Sequence, residues 1–250
     1  MQYLQFTITS HKIYITLNRP DVRNALNQPM MLELIALLDQ IESDEKIHLV
    51  CIKGSNQFFC AGADLTEMKA SIQLTRDENI EHARVLSGLL DKLYRLSKPT
   101  IAIVEGGVYG GGLGLIACCD IVICSDKTSF CFSEAKLGLI PAMISPYIVK
   151  AIGERQAKRY FLTAEVFNGE KAKEMNLIHE LVSEDKLQET TEKILNSLSQ
   201  NSHYALSKIK GLFPIINSQE KENLIAILAD IRTTQDAQKR LTDFLQAKGR

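Results

Sequence analysis

The feature that most constrains this chain is a cluster of glycines between a strand pattern and a helix pattern. The strand pattern is Thr100-Ile-Ala-Ile-Val104, five glycines lie between Gly106 and Gly112, and the apolar run 113–119 follows at once. A strand that turns directly into a helix leaves the first backbone N–H groups of the helix without partners. Glycines let another group approach these N–H groups because no Cβ stands in the way. The segment therefore predicts either a tightly packed turn or a site for a phosphate or an oxyanion.

The residues around the glycines exclude the common nucleotide-binding loops. A P-loop needs Gly-Lys-Ser/Thr, which does not follow here, and there is no Gly-x-Gly-x-x-Gly with an acidic residue about 20 positions later in this segment. A negative charge that develops during a reaction is therefore the better candidate for this pocket.

Composition narrows the class of protein. The 250 residues are 45% hydrophobic and 24% charged, with a net charge of −1, which is ordinary for a globular chain with a sizeable core. Bulk charge therefore favours neither a nucleic acid nor a membrane as partner, and no stretch reaches the roughly 18 apolar residues of a membrane span. No secretory signal is evident at the N-terminus. The six cysteines lie mostly in apolar runs and lack metal-ligand spacing, so we expect buried free thiols, no metal site and a cytoplasmic location.

A second informative segment is Phe58-Phe-Cys-Ala-Gly-Ala-Asp-Leu-Thr-Glu-Met68. Asp64, with Glu67 three residues later, predicts a capping box, so a helix is expected to begin just after Ala63. The N–H of Ala63 then lies outside the helical hydrogen-bond ladder, beside the positive end of the helix. Two interpretations are open: a loop that only caps a helix, or a second backbone donor for a developing negative charge.

The order of strand and helix patterns predicts an α/β fold. Strand–strand–helix units fill about the first 180 residues, and everything from about residue 184 onward has helical periodicity. No low-complexity linker separates the two parts. We therefore expect a core with the active site at residues 1–183, followed by a helical C-terminal region at residues 184–250.

Four motifs carry a resemblance to a known family. They are Asn18-Arg-Pro with Asn24-Ala-Leu, Phe59-Cys-Ala-Gly-Ala-Asp-Leu, Gly106-Gly-Val-Tyr-Gly-Gly-Gly-Leu with Cys119-Asp120, and Ser133-Glu-Ala-Lys-Leu-Gly-Leu-Ile-Pro141. In this order and spacing they resemble the crotonase, or enoyl-CoA hydratase/isomerase, family over nearly the whole chain. The resemblance implies a crotonase-like spiral of strand–strand–helix repeats, with a helical C-terminal region that forms a homotrimer or a dimer of trimers. It also implies an acyl-CoA substrate and no separate cofactor, because coenzyme A is part of the substrate.

The resemblance assigns roles to individual residues. It implies an oxyanion hole formed by the backbone N–H groups of Ala63 and Gly111, which agrees with the helix starts found above. Such donors stabilise the enolate of a thioester, and one donor can contribute about 3 kcal/mol. Residues expected to bind coenzyme A or the acyl chain are Arg23, Ala25, Ala61, Ala63, Asp64, Leu65, Thr66, Gly111 and Gly114.

One departure from the family pattern affects the chemistry. Hydratases of this family commonly have two glutamates facing the substrate; the second matches Glu134, but the first position holds Gly114. We therefore expect Glu134 to be the acid/base residue, since it is the only matched carboxylate. Gly114 is expected to leave room beside the acyl chain for a branched, carboxylated group.

A second departure indicates a branch of the family. Pro141-Ala-Met-Ile-Ser-Pro146 replaces the usual glycine-rich turn, and it resembles bacterial hydratases of methylglutaconyl-CoA, in leucine catabolism, or of carboxygeranoyl-CoA, in terpenoid catabolism. We favour the first. A Δ3,Δ2-enoyl-CoA isomerase and a decarboxylase are alternatives, because neither needs a second carboxylate. An RNA-binding member is disfavoured, because the basic residues of segment 150–159 are few and are interrupted by Glu154.

Overall fold

Two parallel-rich sheets form the centre of the molecule. The computed structural model describes residues 1–217 and 221–248. Its strands are β1 (Leu4–Thr9), β2 (Lys12–Leu17), β3 (Leu49–Gly54), β4 (Thr100–Val104), β5 (Gly107–Tyr109), β6 (Ile121–Ser125), β7 (Ser129–Cys131), β8 (Phe167–Asn168) and β9 (Glu180–Val182). The larger sheet has the order β1-β2-β3-β4-β6-β9, and β5, β7 and β8 form a smaller one. In the larger sheet only the β1–β2 pair is antiparallel.

Helices follow the strands along the chain. They are α1 (Gln28–Ser43), α2 (Leu65–Ser71), α3 (Arg76–Arg95), α4 (Gly111–Cys118), α5 (Ser145–Thr163), α6 (Gly169–Glu174), α7 (Leu187–Ser199), α8 (His203–Asn217), α9 (Lys221–Thr233) and α10 (Gln235–Lys248). Local signals explain several of the boundaries: the side chain of Asn27 caps α1, and Gly153 breaks the helical conformation of α5 with φ 76°. No described helix is both long enough and apolar enough to span a membrane.

The core lies on both faces of the larger sheet. Alternate residues of β3, such as Val50 and Ile52, share a buried cluster with α1 and α3. Their neighbours Leu49 and Cys51 face the other way and pack with Leu187 and Leu195 of α7. Burial on both faces explains why β3 reads as a continuous apolar run. The mixed α/β fold with a helical C-terminal region is thus as predicted, whereas the division of the chain at residue 183 stays a prediction.

Three of the five histidines form a stack that joins distant parts of the chain. The ring of His48, just before β3, lies 4.6 Å from the ring of His11 and 4.3 Å from that of His203 at the start of α8. Burial, followed by the neighbouring His203 and His11, lowers the pKa of His48. All six cysteines are buried and free, as expected.

Candidate active site

Three parallel chain segments bring the predicted catalytic residues to one place. Cys60 forms a parallel bridge with Val108 of β5, and Val108 is in register with Phe130 of β7. Ala63 follows three residues after Cys60, Gly111 three residues after Val108, and Glu134 four residues after Phe130. Because parallel strands leave the sheet at the same end, the three residues meet there and line one cleft.

The backbone N–H groups of Ala63 and Gly111 are left free by the local structure. Next to Ala63, the N–H of Asp64 donates to the carbonyl of Leu26 at 2.9 Å; next to Gly111, the N–H of Gly110 donates to the carbonyl of Cys131 at 3.1 Å. Across residues 1–217 and 221–248, the N–H groups of Ala63 and Gly111 themselves donate to no protein acceptor. Both line the cleft, so they are available to an oxygen atom placed between them.

Backbone conformation and close contacts explain why glycine stands at positions 62 and 110. Gly62 has φ +91° and Gly110 has φ +47°, a region that residues with a Cβ rarely adopt. A Cβ on Gly110 would also lie 3.3 Å from Oε1 of Glu134. The glycine cluster therefore lets the Glu134 carboxylate approach the backbone at the start of α4.

Glu134 begins a short 3-10 helix and is held by backbone contacts. The N–H of Leu139 donates to the carbonyl of Glu134 at 3.0 Å. Its Oε2 is buried and accepts no hydrogen bond from any described residue. Burial raises the pKa of this carboxyl above its ordinary value, against a smaller opposing effect of its own backbone N–H. A buried carboxyl that holds its proton more tightly suits proton transfer.

The cleft in front of these groups has a volume of about 360 Å³. Most of its lining is apolar: Leu26, Met31, Met68, Ala83, Leu86, Leu139, Ile140, Pro141, Ala142, Met143 and Ile144. An acyl chain of a few carbons matches this lining. In the part of the chain that the structure describes, no group of three or more His, Cys, Asp or Glu residues could hold a metal ion.

Most of the residues predicted to bind coenzyme A lie in two adjoining segments, residues 23–25 and 61–66. The N–H of Ala61 donates to the carbonyl of Arg23 at 2.9 Å. Arg23 is exposed, its guanidinium lies 5.6 Å from the centre of the Phe58 ring, and it forms no ion pair with any described residue. Leu65 and Thr66 are also exposed, whereas Ala25 is buried. The nucleotide-binding roles of these residues stay predictions.

The carboxylate of Asp64 is used within the protein. It pairs with Arg19 at 2.7 Å and caps α2 by accepting from the N–H groups of Thr66 and Glu67 at 2.8 and 3.3 Å. Burial would raise the pKa of Asp64, but these hydrogen bonds outweigh it and lower the pKa. The backbone of Asp64 is engaged as well, since its N–H donates to Leu26 and its carbonyl accepts from Met68. The contact of Asp64 with coenzyme A stays a prediction.

The predicted capping box at Asp64 is wrong in its second half. Glu67 does not reach back to the N–H of Asp64, which donates to Leu26. Instead, Oε1 of Glu67 accepts from the N–H of Gln28 at 2.7 Å, and Oε2 lies 3.2 Å from Nε2 of His82. Glu67 thus contacts residues that are distant in sequence instead of the N–H of Asp64. Glu67 and His82 both line the cleft, and the sequence argument missed them as site residues.

The prediction that Gly114 leaves space beside the acyl chain is also wrong. A Cβ on Gly114 would lie 2.4 Å from Cγ2 of Ile144 and 3.2 Å from Cδ2 of Leu90. Gly114 does not line the cleft, whereas Ile144 does. The space that the missing side chain creates is thus filled by a side chain of the protein, not left open for the acyl group.

The fold agrees with what comparison with known proteins shows. The family model for enoyl-CoA hydratase/isomerase matches residues 8–246, and the chain belongs to this family. The crystal structure of an enoyl-CoA hydratase from Shewanella pealeana superposes with a TM-score of 0.94 at 35% identity, covering 98% of this chain and 94% of that one. A Legionella pneumophila crotonase-family structure superposes with a TM-score of 0.92 at 38% identity, covering 98% and 96%. The 2,3-dehydroadipyl-CoA hydratase of Escherichia coli is 28% identical over 94% of this chain and 92% of its own length.

Proposed function

We propose that this enzyme adds water across the double bond of a 2-enoyl-CoA, with Ala63 and Gly111 as oxyanion hole and Glu134 as acid/base residue. The observation that carries the proposal is the meeting, in a single apolar cleft, of two N–H groups free of described acceptors and one carboxyl whose Oε2 is buried and accepts no hydrogen bond from a described residue.

The chemistry follows from where charge develops. When water attacks C3 of a 2-enoyl thioester, electrons move to the thioester oxygen. Two fixed N–H donors aimed at this oxygen stabilise the enolate without reorganising, and the apolar surroundings strengthen the interaction. The enolate then needs a proton at C2. Glu134 is suited to supply it, because burial raises its pKa and keeps it protonated to higher pH.

Coenzyme A is proposed to lie along residues 61–66 and the loop that ends at Ala25. The exposed guanidinium of Arg23 has no competing ion pair with the described residues, so it is free to meet a phosphate group. The thioester end would then enter the cleft between Ala63 and Gly111.

The charged residues that line the cleft affect which acyl groups it can accept. Among the residues that line it, Glu67 and Glu134 are acidic, His82 alone could carry a positive charge, and there is no Lys or Arg. A distal carboxylate would therefore be disfavoured in such a site. We propose that a plain short 2-enoyl-CoA is the better substrate, and methylglutaconyl-CoA, with its link to leucine catabolism, the weaker one. The carboxylated substrate named for the Escherichia coli relative, 2,3-dehydroadipyl-CoA, belongs in the same comparison.

A Δ3,Δ2-enoyl-CoA isomerase is the second candidate function. It is favoured by the single carboxyl at a matched position, because one base can move a proton between C4 and C2. A Streptococcus mutans relative, 28% identical over 84% of this chain, is a trans-2-decenoyl-[acyl-carrier-protein] isomerase.

A panel assay of the pure protein tests the proposal. Crotonyl-CoA, methylglutaconyl-CoA, 2,3-dehydroadipyl-CoA and 3-hexenoyl-CoA are incubated separately, and the products are separated by mass and retention time. We expect hydration, with the highest kcat/KM for crotonyl-CoA. Double-bond migration of 3-hexenoyl-CoA without hydration of any 2-enoyl-CoA would assign the isomerase function, and release of CO2 would assign a decarboxylase.

The assembly is proposed from exposed apolar surface. Tyr204, Ile209 and Phe213 of α8 are exposed, as are Ile225 and Leu228 of α9. Such residues on consecutive helices suit a subunit interface, and we propose a homotrimer or a dimer of trimers. Sedimentation equilibrium decides between these and a monomer. We also propose a cytoplasmic location, because six buried free thiols suit a reducing compartment.

A further inference from the structure

The cleft contains a histidine–glutamate pair that the proposed reaction does not yet use. Nε2 of His82 lies 3.2 Å from Oε2 of Glu67, and their side chains are only 34% and 24% exposed. Both line the cleft together with Ala63, Gly111 and Glu134. The position that supplies a second carboxylate in related hydratases is filled here by Gly114 and Ile144, so the cleft lacks a second acid/base group unless this pair provides one.

The surroundings of Glu67 fix the orientation of the imidazole. Oε1 of Glu67 accepts a 2.7 Å hydrogen bond from the N–H of Gln28, the first residue of α1. This contact places the Glu67 carboxylate at the positive end of α1. An ionised carboxylate only accepts hydrogen bonds, so Nε2 of His82 donates. Nδ1 is then the nitrogen that carries a lone pair, and among the described residues it has no hydrogen-bond partner.

The packing of α3 against α4 places His82 in front of the oxyanion hole. Leu90 lies against the Cβ position of Gly114, at 3.2 Å, and Leu86, one turn earlier, lies 4.0 Å from the Cβ position of Gly111. Moving back along α3 therefore means moving toward the start of α4. His82 is one further turn back, about 6 Å along the helix axis, which places it beyond the N-terminus of α4, where it lines the cleft.

From this arrangement we infer that His82, oriented by Glu67, is the base that activates water, while Glu134 is the acid that protonates C2. This division of roles rests on the proposed hydratase function. Glu67 is a positioning residue, since it acts through His82.

The step balances without a further reactant. Nδ1 of His82 takes a proton from water as the oxygen bonds to C3. The C2=C3 electrons form the enolate, whose oxygen is held by Ala63 and Gly111. The enolate then takes the proton of the Glu134 carboxyl at C2. Solvent returns the proton from His82 to Glu134, and the product is the 3-hydroxyacyl-CoA.

Two reactions measured on each variant separate the two roles. Hydration of crotonyl-CoA needs both residues, whereas exchange of the C2 hydrogens of butyryl-CoA in D2O needs only Glu134 and the oxyanion hole. We expect His82→Ala to lose about 10²-fold or more in kcat for hydration, to recover part of it with added imidazole, and to keep the wild-type exchange rate. Glu134→Gln is expected to lose both reactions.

Glu67→Gln tests the orientation. The amide oxygen can still accept from Gln28, but the amide nitrogen then faces Nε2 of His82 and makes it an acceptor. The proton moves to Nδ1, which can no longer act as a base, so hydration falls while exchange persists. The matched control is Glu81→Gln, which removes an exposed carboxylate on α3 that pairs with Arg84 and leaves both reactions unchanged.

The outcomes distinguish the inference from the proposed function. If His82→Ala and His82→Gln, both folded by circular dichroism, hydrate at the wild-type rate, or lose exchange together with hydration, the base assignment is overturned while the hydratase function stands. If the wild-type protein hydrates no 2-enoyl-CoA, the proposed function fails and the inference fails with it.

Discussion

Ile144 occupies the space that a side chain on Gly114 would need: its Cγ2 lies 2.4 Å from the Cβ position of that glycine. Gly114, at the position where the family resemblance leads us to expect a glutamate, is therefore part of the packing between α4 and the segment before α5. Ile144 also lines the cleft, so this packing contact lies directly behind its wall.

This contact predicts the effect of adding a side chain at Gly114. Gly114→Ala should lower the free energy of unfolding by about 1–3 kcal/mol, because the added methyl meets a packed side chain. The loss should be smaller in an Ile144→Leu background, since leucine has no Cγ2 branch. Denaturant unfolding of the single and double variants gives the coupling. Gly88→Ala is the control: a Cβ at Gly88 meets nothing within 4 Å, so stability should not fall.

Gly114→Glu should not create a second catalytic carboxylate. The side chain would meet Ile144 and Leu90 before it reached the cleft, so hydration of crotonyl-CoA should not increase. A rise in kcat/KM for crotonyl-CoA in a folded Gly114→Glu variant would show that Ile144 yields to the new side chain and would contradict the packing argument.

Ala63→Pro should lower activity while leaving stability nearly unchanged. The N–H that proline removes has no acceptor among the described residues. We expect the free energy of unfolding to change little and kcat to fall about 10²–10³-fold. Ala61→Pro is the contrasting variant, because it deletes a hydrogen bond to Arg23 and should destabilise the loop. Full turnover by a folded Ala63→Pro enzyme would remove Ala63 from the oxyanion hole.

The buried carboxyl of Glu134 should make stability depend on pH. Burial raises its pKa above 4.5 in the folded state, so the folded protein binds this proton more tightly than the unfolded chain does. Its contribution to stability is present below pH 4.5 and is lost as pH rises through the folded pKa. Wild type should therefore lose stability relative to Glu134→Gln as pH rises from 4.5 toward neutrality. Denaturant titrations of both proteins across this range measure the difference, and a constant difference would contradict it.

The histidine stack predicts a second, opposite pH effect. The pKa of His48 is lowered from 6.5 by burial and then by His203 and His11, while the backbone carbonyl of Glu45 opposes the shift and Lys98 adds to it. The folded state binds fewer protons, so stability is lost as pH falls below 6.5. We expect His48→Phe, which keeps a stacking ring, to lose less stability than wild type on going from pH 7 to about pH 5. Equal losses in both proteins would contradict a lowered pKa of His48.

Local signals in the sequence were sufficient to predict the helix starts next to the candidate active site. The glycine cluster predicted the start of α4, and Asp64 predicted that α2 begins just after Ala63. Each of these depends on backbone conformation and on partners a few residues away, which a sequence shows directly. The family motifs then placed Ala63, Gly111 and Glu134, which the structure brings to one cleft.

The parts that were missed depend on contacts between distant segments. Glu67 has the spacing of a capping box, but the N–H of Gln28, 39 residues earlier, binds it instead. His82 stands one turn before Leu86 on the apolar side of α3, and this periodicity was the available signal for it. Nothing local reveals that this side of α3 faces Gly111. The filling of Gly114 by Ile144 likewise follows from packing between α4 and a loop that is remote in sequence.

The most direct test of the account is the kcat for hydration of crotonyl-CoA by wild type and by Glu134→Gln, with the dissociation constant of crotonyl-CoA measured for both. The account predicts turnover by wild type, a fall of about 10²–10⁴-fold in the variant, and nearly unchanged binding, since glutamine keeps the shape of the residue. Equal kcat values in the two proteins would contradict it, because the proton transfer would then belong to another residue.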